Sequence, residues 1–150
     1  MLSKEKVRLI SKVTIAHFIT YMLCGIFFAT ILNYQDHIES IGMKSIEEIS
    51  FLMVVLGQIA RGILLGIVVW WIKDSIIGKK LAWLKLWAIL IILGIISVYS
   101  PAPGSIEGLL YLVPVEGLPL SFELSILEVM LQPLLFSIIV TYQRKKESCH

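Results

Sequence analysis

The chain has 150 residues, of which 57% are hydrophobic and 16% are charged, with a formal net charge of +2. Its mean hydropathy is +0.87. A soluble domain of this length needs a polar outer face, so this composition excludes an ordinary soluble protein and favours a chain that lies in a lipid bilayer. The small net charge, spread without a continuous basic patch, excludes a nucleic-acid partner.

Four apolar runs follow one another along the chain, at about residues 13–33, 51–72, 81–99 and 121–142. Each is roughly 20 residues long, which at ~1.5 Å per residue matches the ~30 Å hydrocarbon core of a bilayer. The sequence therefore predicts an all-α membrane protein with one domain, residues 1–150, and four transmembrane helices in a bundle. The first run carries His17, Thr20 and Tyr21 and lacks a clear cleavage site, which indicates an uncleaved helix.

The basic residues predict the orientation of the bundle. Eleven of the thirteen lysines and arginines precede the first run, lie between the second and third or at the start of the third, or follow the fourth. Lys44 alone lies on the opposite side, and Arg61 lies inside a run. The positive-inside rule then places both termini in the cytoplasm, in a multi-pass protein of the plasma membrane of the bacterial inner-membrane type.

Small residues in the second run predict how the helices pack. Gly62 and Gly66 form a G-x-x-x-G pattern, which allows two helix backbones to approach closely in lipid. Packing within the chain is the preferred interpretation of this pattern, and a homodimer is the alternative.

The external connections carry most of the acidic residues. Residues 100–120 contain four prolines and three glycines around the apolar stretch Leu109–Val113, which is too short to span a bilayer. This pattern predicts a partly embedded external loop that closes over the bundle as a lid, with Glu107 among the candidate ligand-binding residues. In the first external loop, Asp36, His37 and Glu39 have metal-ligand chemistry, but such neighbouring polar residues are usually solvated. No metal site and no cofactor is predicted.

Arg61 and Glu128 are the residues whose placement in lipid costs most. Counted from the outer ends of their helices, Arg61 lies ~15 Å deep, and Glu128 and Gln132 lie ~11 and ~17 Å deep. Gln58 shares a helix face with Arg61, and Gln132 shares one with Glu128. We expect these four residues to form one site, with Arg61 and Glu128 within salt-bridge distance. His17, only ~6 Å from the cytoplasmic edge, is set apart from this site as a packing or interfacial residue.

Three functions are compatible with this pattern. The first is a binding or transport-type module in which Arg61 meets an anionic group of a small molecule or lipid that enters from outside. The second is an accessory subunit of a larger membrane complex, which uses the Gly62–Gly66 face or the apolar loop. The third is an intramembrane lipid-modifying enzyme with Glu128 as acid or base, which the sequence favours least because it offers no nucleophile pattern. If the ion pair is purely structural, it only locks two helices together.

Overall fold

The computed structural model of the chain describes residues 3–32, 50–97, 106 and 120–142. These residues form helices α1 (Lys4–Leu32), α2 (Phe51–Ile76), α3 (Ala82–Ile91) and α4 (Leu120–Thr141). Helix α3 continues as a π-helical turn, Ile92–Ile96. No strand occurs within the described ranges, so the predicted all-α class is confirmed. The predicted lid, with Glu107, and the acidic first loop lie outside the described residues.

Two of the four helices, α1 and α2, are long and apolar enough to cross a membrane. Helix α3 with its π-helical turn, and residues Leu127–Thr141 of α4, are apolar but shorter. Membrane crossing by all four helices, and their orientation, remain predictions at this point.

Helix α1 begins at Lys4, well before the apolar run that predicts it. Contacts with other helices stabilise these additional turns. The Lys73 ammonium forms a 2.7 Å salt bridge with Glu5, and Lys12 Nζ donates hydrogen bonds of 2.8 and 3.0 Å to the carbonyl oxygens of Val140 and Tyr142. Hydropathy along the chain could not predict this early start of α1, because the partners of these polar groups are remote in sequence.

Helix α3 also differs from the predicted regular helix at 81–99. The α-helical hydrogen bonds end at Ile91, and the Ser97 N–H donates instead to the Ile92 carbonyl at 2.8 Å, in the i to i−5 pattern of a π-helix. Gly94 lies in the middle of this segment, where its low helix propensity weakens the regular pattern. The fourth prediction, 121–142, agrees with α4 to within one residue.

Helix α1 is the centre of the arrangement, since it packs against both α2 and α4, while α3 packs mainly against α4. Buried residues from all four helices form one core, comprising Val13, Ala16, Val69, Ile76, Ala82, Leu86, Phe136 and Val140. This core lies near the start of α1 and α3 and the end of α2 and α4. We call this the basic end, because Lys4–Lys12 of α1 and Lys73–Lys85 around the α2–α3 turn meet there.

The close contact between α1 and α2 follows from the two glycines. A Cβ added at Gly62 would lie 2.9 Å from the Cα of Thr14, and one at Gly66 would lie 3.0 Å from the Cα of Ile10. The distance at Gly62 is shorter than real Cβ atoms show, and the distance at Gly66 is at that limit, so a side chain at either position would push the two helices apart. The predicted intramolecular use of the G-x-x-x-G pattern is confirmed, and the antiparallel register of α1 and α2 is fixed by these two contacts.

Alanine at Gly62 tests this contact directly. The Gly62→Ala variant is expected to lose about 1–3 kcal/mol of unfolding free energy, because the new methyl group overlaps backbone atoms that cannot rotate away. Gly57 is the matched control, since a Cβ there meets no atom within 4 Å. Gly57→Ala should be neutral or stabilising by up to ~1 kcal/mol. Unfolding in mixed detergent micelles measures both, and equal losses at the two positions would contradict the proposed contact.

Candidate functional site

His17 and Gln58 form the polar contact at the centre of the helix bundle. The Nε2 atom of His17 lies 3.0 Å from Oε1 of Gln58, and the His17 side chain is only 4% exposed. An amide oxygen only accepts hydrogen bonds, so His17 Nε2 carries the proton in this arrangement. The contact lies one helical turn from the Gly62–Thr14 contact, on the same faces of α1 and α2.

Aromatic rings enclose the imidazole of His17 on two other sides. The ring of Phe136 on α4 meets it edge-on, with 6.1 Å between ring centroids and 86° between ring planes. Tyr21, one turn further along α1, lies at the same centroid distance at a tilt of 42°. His17 is therefore the point where α1, α2 and α4 come together, held by one hydrogen bond and two ring contacts.

Arg61 follows Gln58 by three residues and precedes the half-buried Leu65 by four, so it lies at the margin of the face that α2 turns inward. Its side chain is exposed, and it makes no hydrogen bond or ion pair with any residue that the structure describes. The guanidinium is nevertheless close enough to His17 for the two groups to interact electrostatically. The result is a cation in the middle of an apolar helix, beside a buried polar pair.

Glu128 lies on α4, against a different part of α1. A Cβ added at Gly25 would lie 3.9 Å from Oε1 of Glu128, so the glycine leaves space for the carboxylate beside α1. Gly25 lies eight residues beyond His17, which corresponds to ~12 Å along the helix axis. The Glu128 carboxylate therefore lies about two turns from the His17–Gln58 contact, away from the basic end.

The structure does not show the predicted pairing of Arg61 with Glu128. Among the described residues, the ion pair that the structure shows joins Lys73 to Glu5, and Arg61 and Glu128 form none with each other. The prediction assumed that α2 and α4 enter the bundle at one level. Their registers on α1 differ, because α2 sets Gln58 opposite His17 whereas α4 sets Phe136 there and Glu128 opposite Gly25.

Gln132 lies midway between these two levels. It is half-buried and shares a face of α4 with Glu128 and Phe136, since the three are spaced by four residues. Trp87 of α3 donates from Nε1 to the Met130 carbonyl at 3.1 Å, next to the Val129 carbonyl that Pro133 leaves without its usual donor.

Of the predicted site residues, the structure groups Gln58 and Arg61 near His17, and Glu128 and Gln132 along α4. Glu107 lies outside the described residues.

His17 is the residue at the centre of the bundle that the sequence analysis set apart from the site. The signal was present in the sequence, because His17, Thr20 and Cys24 recur at helical spacing and form a polar stripe along an apolar run. All three side chains are buried. The Thr20 hydroxyl is bound by its own helix, where it donates to the Ala16 carbonyl at 2.9 Å, so His17 remains the member of the stripe that binds another helix.

Within the described ranges, no three His, Cys, Asp or Glu side chains converge as metal ligands. Comparison of the chain with known protein families, with characterised proteins and with solved structures finds no match. Its function therefore has to be argued from the chemistry of the site itself.

A double-mutant cycle tests the geometry of the site. His17→Leu or Gln58→Leu alone leaves one buried polar group unpaired, which is expected to cost about 1–3 kcal/mol of unfolding free energy, while the double variant should recover part of that loss. The cycle of Arg61→Leu with Glu128→Leu is the control, and its coupling energy should be within about 0.5 kcal/mol of zero. Strong coupling in the second cycle and none in the first would contradict the registers described above.

Proposed function

We propose that the chain is a four-helix integral membrane protein with its basic end in the cytoplasm. Large apolar side chains on the outside of the bundle support contact with lipid: Leu23 is 64% exposed, Leu64 is 64% exposed and Trp71 is 73% exposed. Large apolar side chains are exposed on all four helices, which water would not favour. The Glu5–Lys73 salt bridge and the Lys12–Tyr142 hydrogen bond bring together the ends of α1, α2 and α4 that carry basic residues. This supports placing those ends on one side of the membrane, which by the positive-inside rule is the cytoplasmic side.

Cysteine labelling in intact cells tests this placement. In a background with Cys24→Ala and Cys149→Ser, an impermeant thiol reagent should label Ser40→Cys and Ser105→Cys, because both lie in the predicted external loops. It should label Lys80→Cys, in the α2–α3 turn, only after the cells are opened. Labelling of Lys80→Cys alone in intact cells would reverse the orientation, and labelling of all three would contradict membrane crossing.

Within this bundle, we propose that Arg61 binds the anionic group of a small molecule or lipid, beside Gln58 and His17. One observation carries the proposal: Arg61 is an exposed cation near the middle of a long apolar helix, without an ion pair to any described residue. In a bilayer an arginine at that depth costs about 2.5–3.5 kcal/mol on insertion scales. An anionic ligand would offset this cost, and would therefore bind more strongly than the same anion at a solvated surface.

The core is packed mainly at the basic end, which favours entry of a ligand to Arg61 from the opposite end of the bundle. All buried residues of α2 lie at or after Gly62, and none lies in its first ten residues. The packed core thus closes the basic end of the bundle, and Gln58 and Arg61 lie directly next to it on the opposite side. Glu128 and Gln132 lie on α4 nearer the outer end.

Partner binding is the second candidate, and the exposure of Arg61 favours it as well. A carboxylate on a helix of a larger membrane complex, or on a second copy of the chain, could pair with Arg61 in place of a ligand. The Gly62–Gly66 face does not support this function, because α1 already covers it. An enzyme that uses Arg61 and Glu128 on one bond is disfavoured, since Gln58, on the same face as Arg61, meets α1 at His17, about two turns from Gly25, where Glu128 lies.

Replacing Arg61 tests the anion site. A panel of singly charged carboxylates, phosphate monoesters and zwitterions is added to the detergent-solubilised protein, and thermal unfolding is followed. At least one class should raise Tm in a concentration-dependent manner, and Arg61→Gln should abolish that shift. Arg8→Gln, at an exposed arginine of the basic end, is the matched control and should retain it.

The outcomes separate the two candidates. A shift that survives Arg61→Gln, or no shift with any compound, contradicts the anion site. In the second case, native mass spectrometry from mild detergent should reveal a stoichiometric protein partner that Arg61→Gln releases and Arg8→Gln does not.

A further inference from the structure

A groove-shaped cavity lies on the opposite side of α2 from Arg61. It has a volume of about 620 Å³ and occupies the groove between the first half of α1 and the second half of α2. Ile63, Ile67 and Trp71 form its α2 wall. Ile63 follows Arg61 by two residues, so the two side chains leave the helix about 200° apart. The groove is therefore separate from the proposed anion site.

The lining of the groove is mainly apolar, and its one charged residue, Lys6, lies at one end. Because α1 and α2 are antiparallel, Lys6 and Trp71 share the basic end of the groove, and Ile15 and Ile63 share the deep end. Thr14 lines the middle, but its hydroxyl donates to the Ile10 carbonyl at 2.9 Å and so is bound within its own helix. From Lys6 to Ile15 the groove follows α1 for ~13 Å, which is a substantial fraction of one leaflet.

The charge at the basic end of the groove is positive. Glu5, the carboxylate next to Lys6 in sequence, is bound by Lys73, which also lies 3.9 Å above the ring of Trp70. Asp74 lies one turn beyond Trp71 and is outnumbered by the basic residues in the first turns of α1, namely Lys4, Lys6 and Arg8. Among the described residues, Lys6 forms no ion pair, so its ammonium group is available to an anion.

We propose that this groove binds an anionic phospholipid of the cytoplasmic leaflet. One acyl chain lies along Ile10, Ile15 and Ile67, while the headgroup phosphate accepts a hydrogen bond from Lys6 Nζ. An apolar channel with a single cationic end matches a molecule built of an acyl chain and one anionic head. Trp71 lies at headgroup level, where indole rings are favoured. The proposal rests on the proposed membrane placement, and not on the anion site at Arg61.

Native mass spectrometry tests the proposal with two probes, phosphatidylglycerol and phosphatidylcholine of the same acyl chains. The wild-type protein should retain the anionic lipid preferentially. Lys6→Gln should lower that preference about fivefold, the effect expected for one lysine at an anionic membrane surface. Lys80→Gln, which removes the same charge in the α2–α3 turn, is the matched control and should leave it unchanged.

A second pair of variants tests the acyl-chain part of the groove. Ile15→Trp fills the deep end from a position that is 59% exposed, so the fold should tolerate it, and it should reduce retention of both lipids at the site. Ile19→Trp, at another exposed position of α1 outside the groove, should not. Equal retention of the two lipids by wild type, equal effects of the two lysine variants, or full retention by Ile15→Trp would each overturn the proposal.

Arg61→Gln separates this proposal from the proposed function. Phosphatidylglycerol retention by this variant should equal that of wild type, because Arg61 lies on the other side of α2. If Arg61→Gln removes the lipid and Lys6→Gln does not, the lipid belongs to the Arg61 site, and the groove proposal fails while the proposed function stands.

Discussion

The backbone contact between α1 and α2 determines most of what the structure does. Gly62 and Gly66 bring α2 to within van der Waals distance of the main chain at Thr14 and Ile10. Two such contacts one turn apart leave no freedom to slide one helix along the other, so the register of α1 on α2 is fixed. Gln58 then falls opposite His17, and the same close approach forms the groove on the other flank, with Ile63 and Ile67 as its wall.

The bundle is packed tightly at one end only. Val13, Val69, Leu86 and Val140 are each at most 2% exposed, and all lie at the basic end. The opposite end has fewer buried side chains in the described residues, with Cys24 and Phe28 of α1 and Ile91 of α3 below 9%. Dispersion contacts and the Glu5–Lys73 and Lys12–Tyr142 contacts therefore stabilise the same region, which leaves the remaining half of the bundle free to contribute a site.

The helices could be predicted from the sequence because the length of an apolar run is a local property. The start of α2 and both ends of α4 follow their runs closely, while α2 extends four residues beyond its run, to Ile76. The role of Gly62 and Gly66 follows from the spacing of small residues. Where prediction failed, the cause was a contact remote in sequence. The early start of α1 depends on Lys73 and Val140, and the axial offset of α4 depends on Phe136 against His17.

That offset explains why the site was predicted only in part. Gln58 and Arg61 were correctly chosen as neighbours on one helix, because helical periodicity alone relates them. The depth estimates counted residues from the end of each helix and assumed that all helices start at the same height in the bilayer. They therefore placed Glu128 beside Arg61, and His17 far from both. The relative height of two helices is set by side-chain packing, which depth counting does not include.

His17 and Arg61 illustrate how a structural polar residue differs from a functional one. The buried His17 nitrogen is satisfied by Gln58, and the imidazole fills space between Phe136 and Tyr21, so its presence is explained by the fold. Arg61 adds no ion pair with the described residues and fills no part of the core. In a bilayer, a leucine at that position would stabilise the unliganded bundle, because it removes the cost of an unpaired charge. This cost is what the proposed binding of an anionic group would offset, because a guanidinium forms its strongest hydrogen bonds with anionic oxygens.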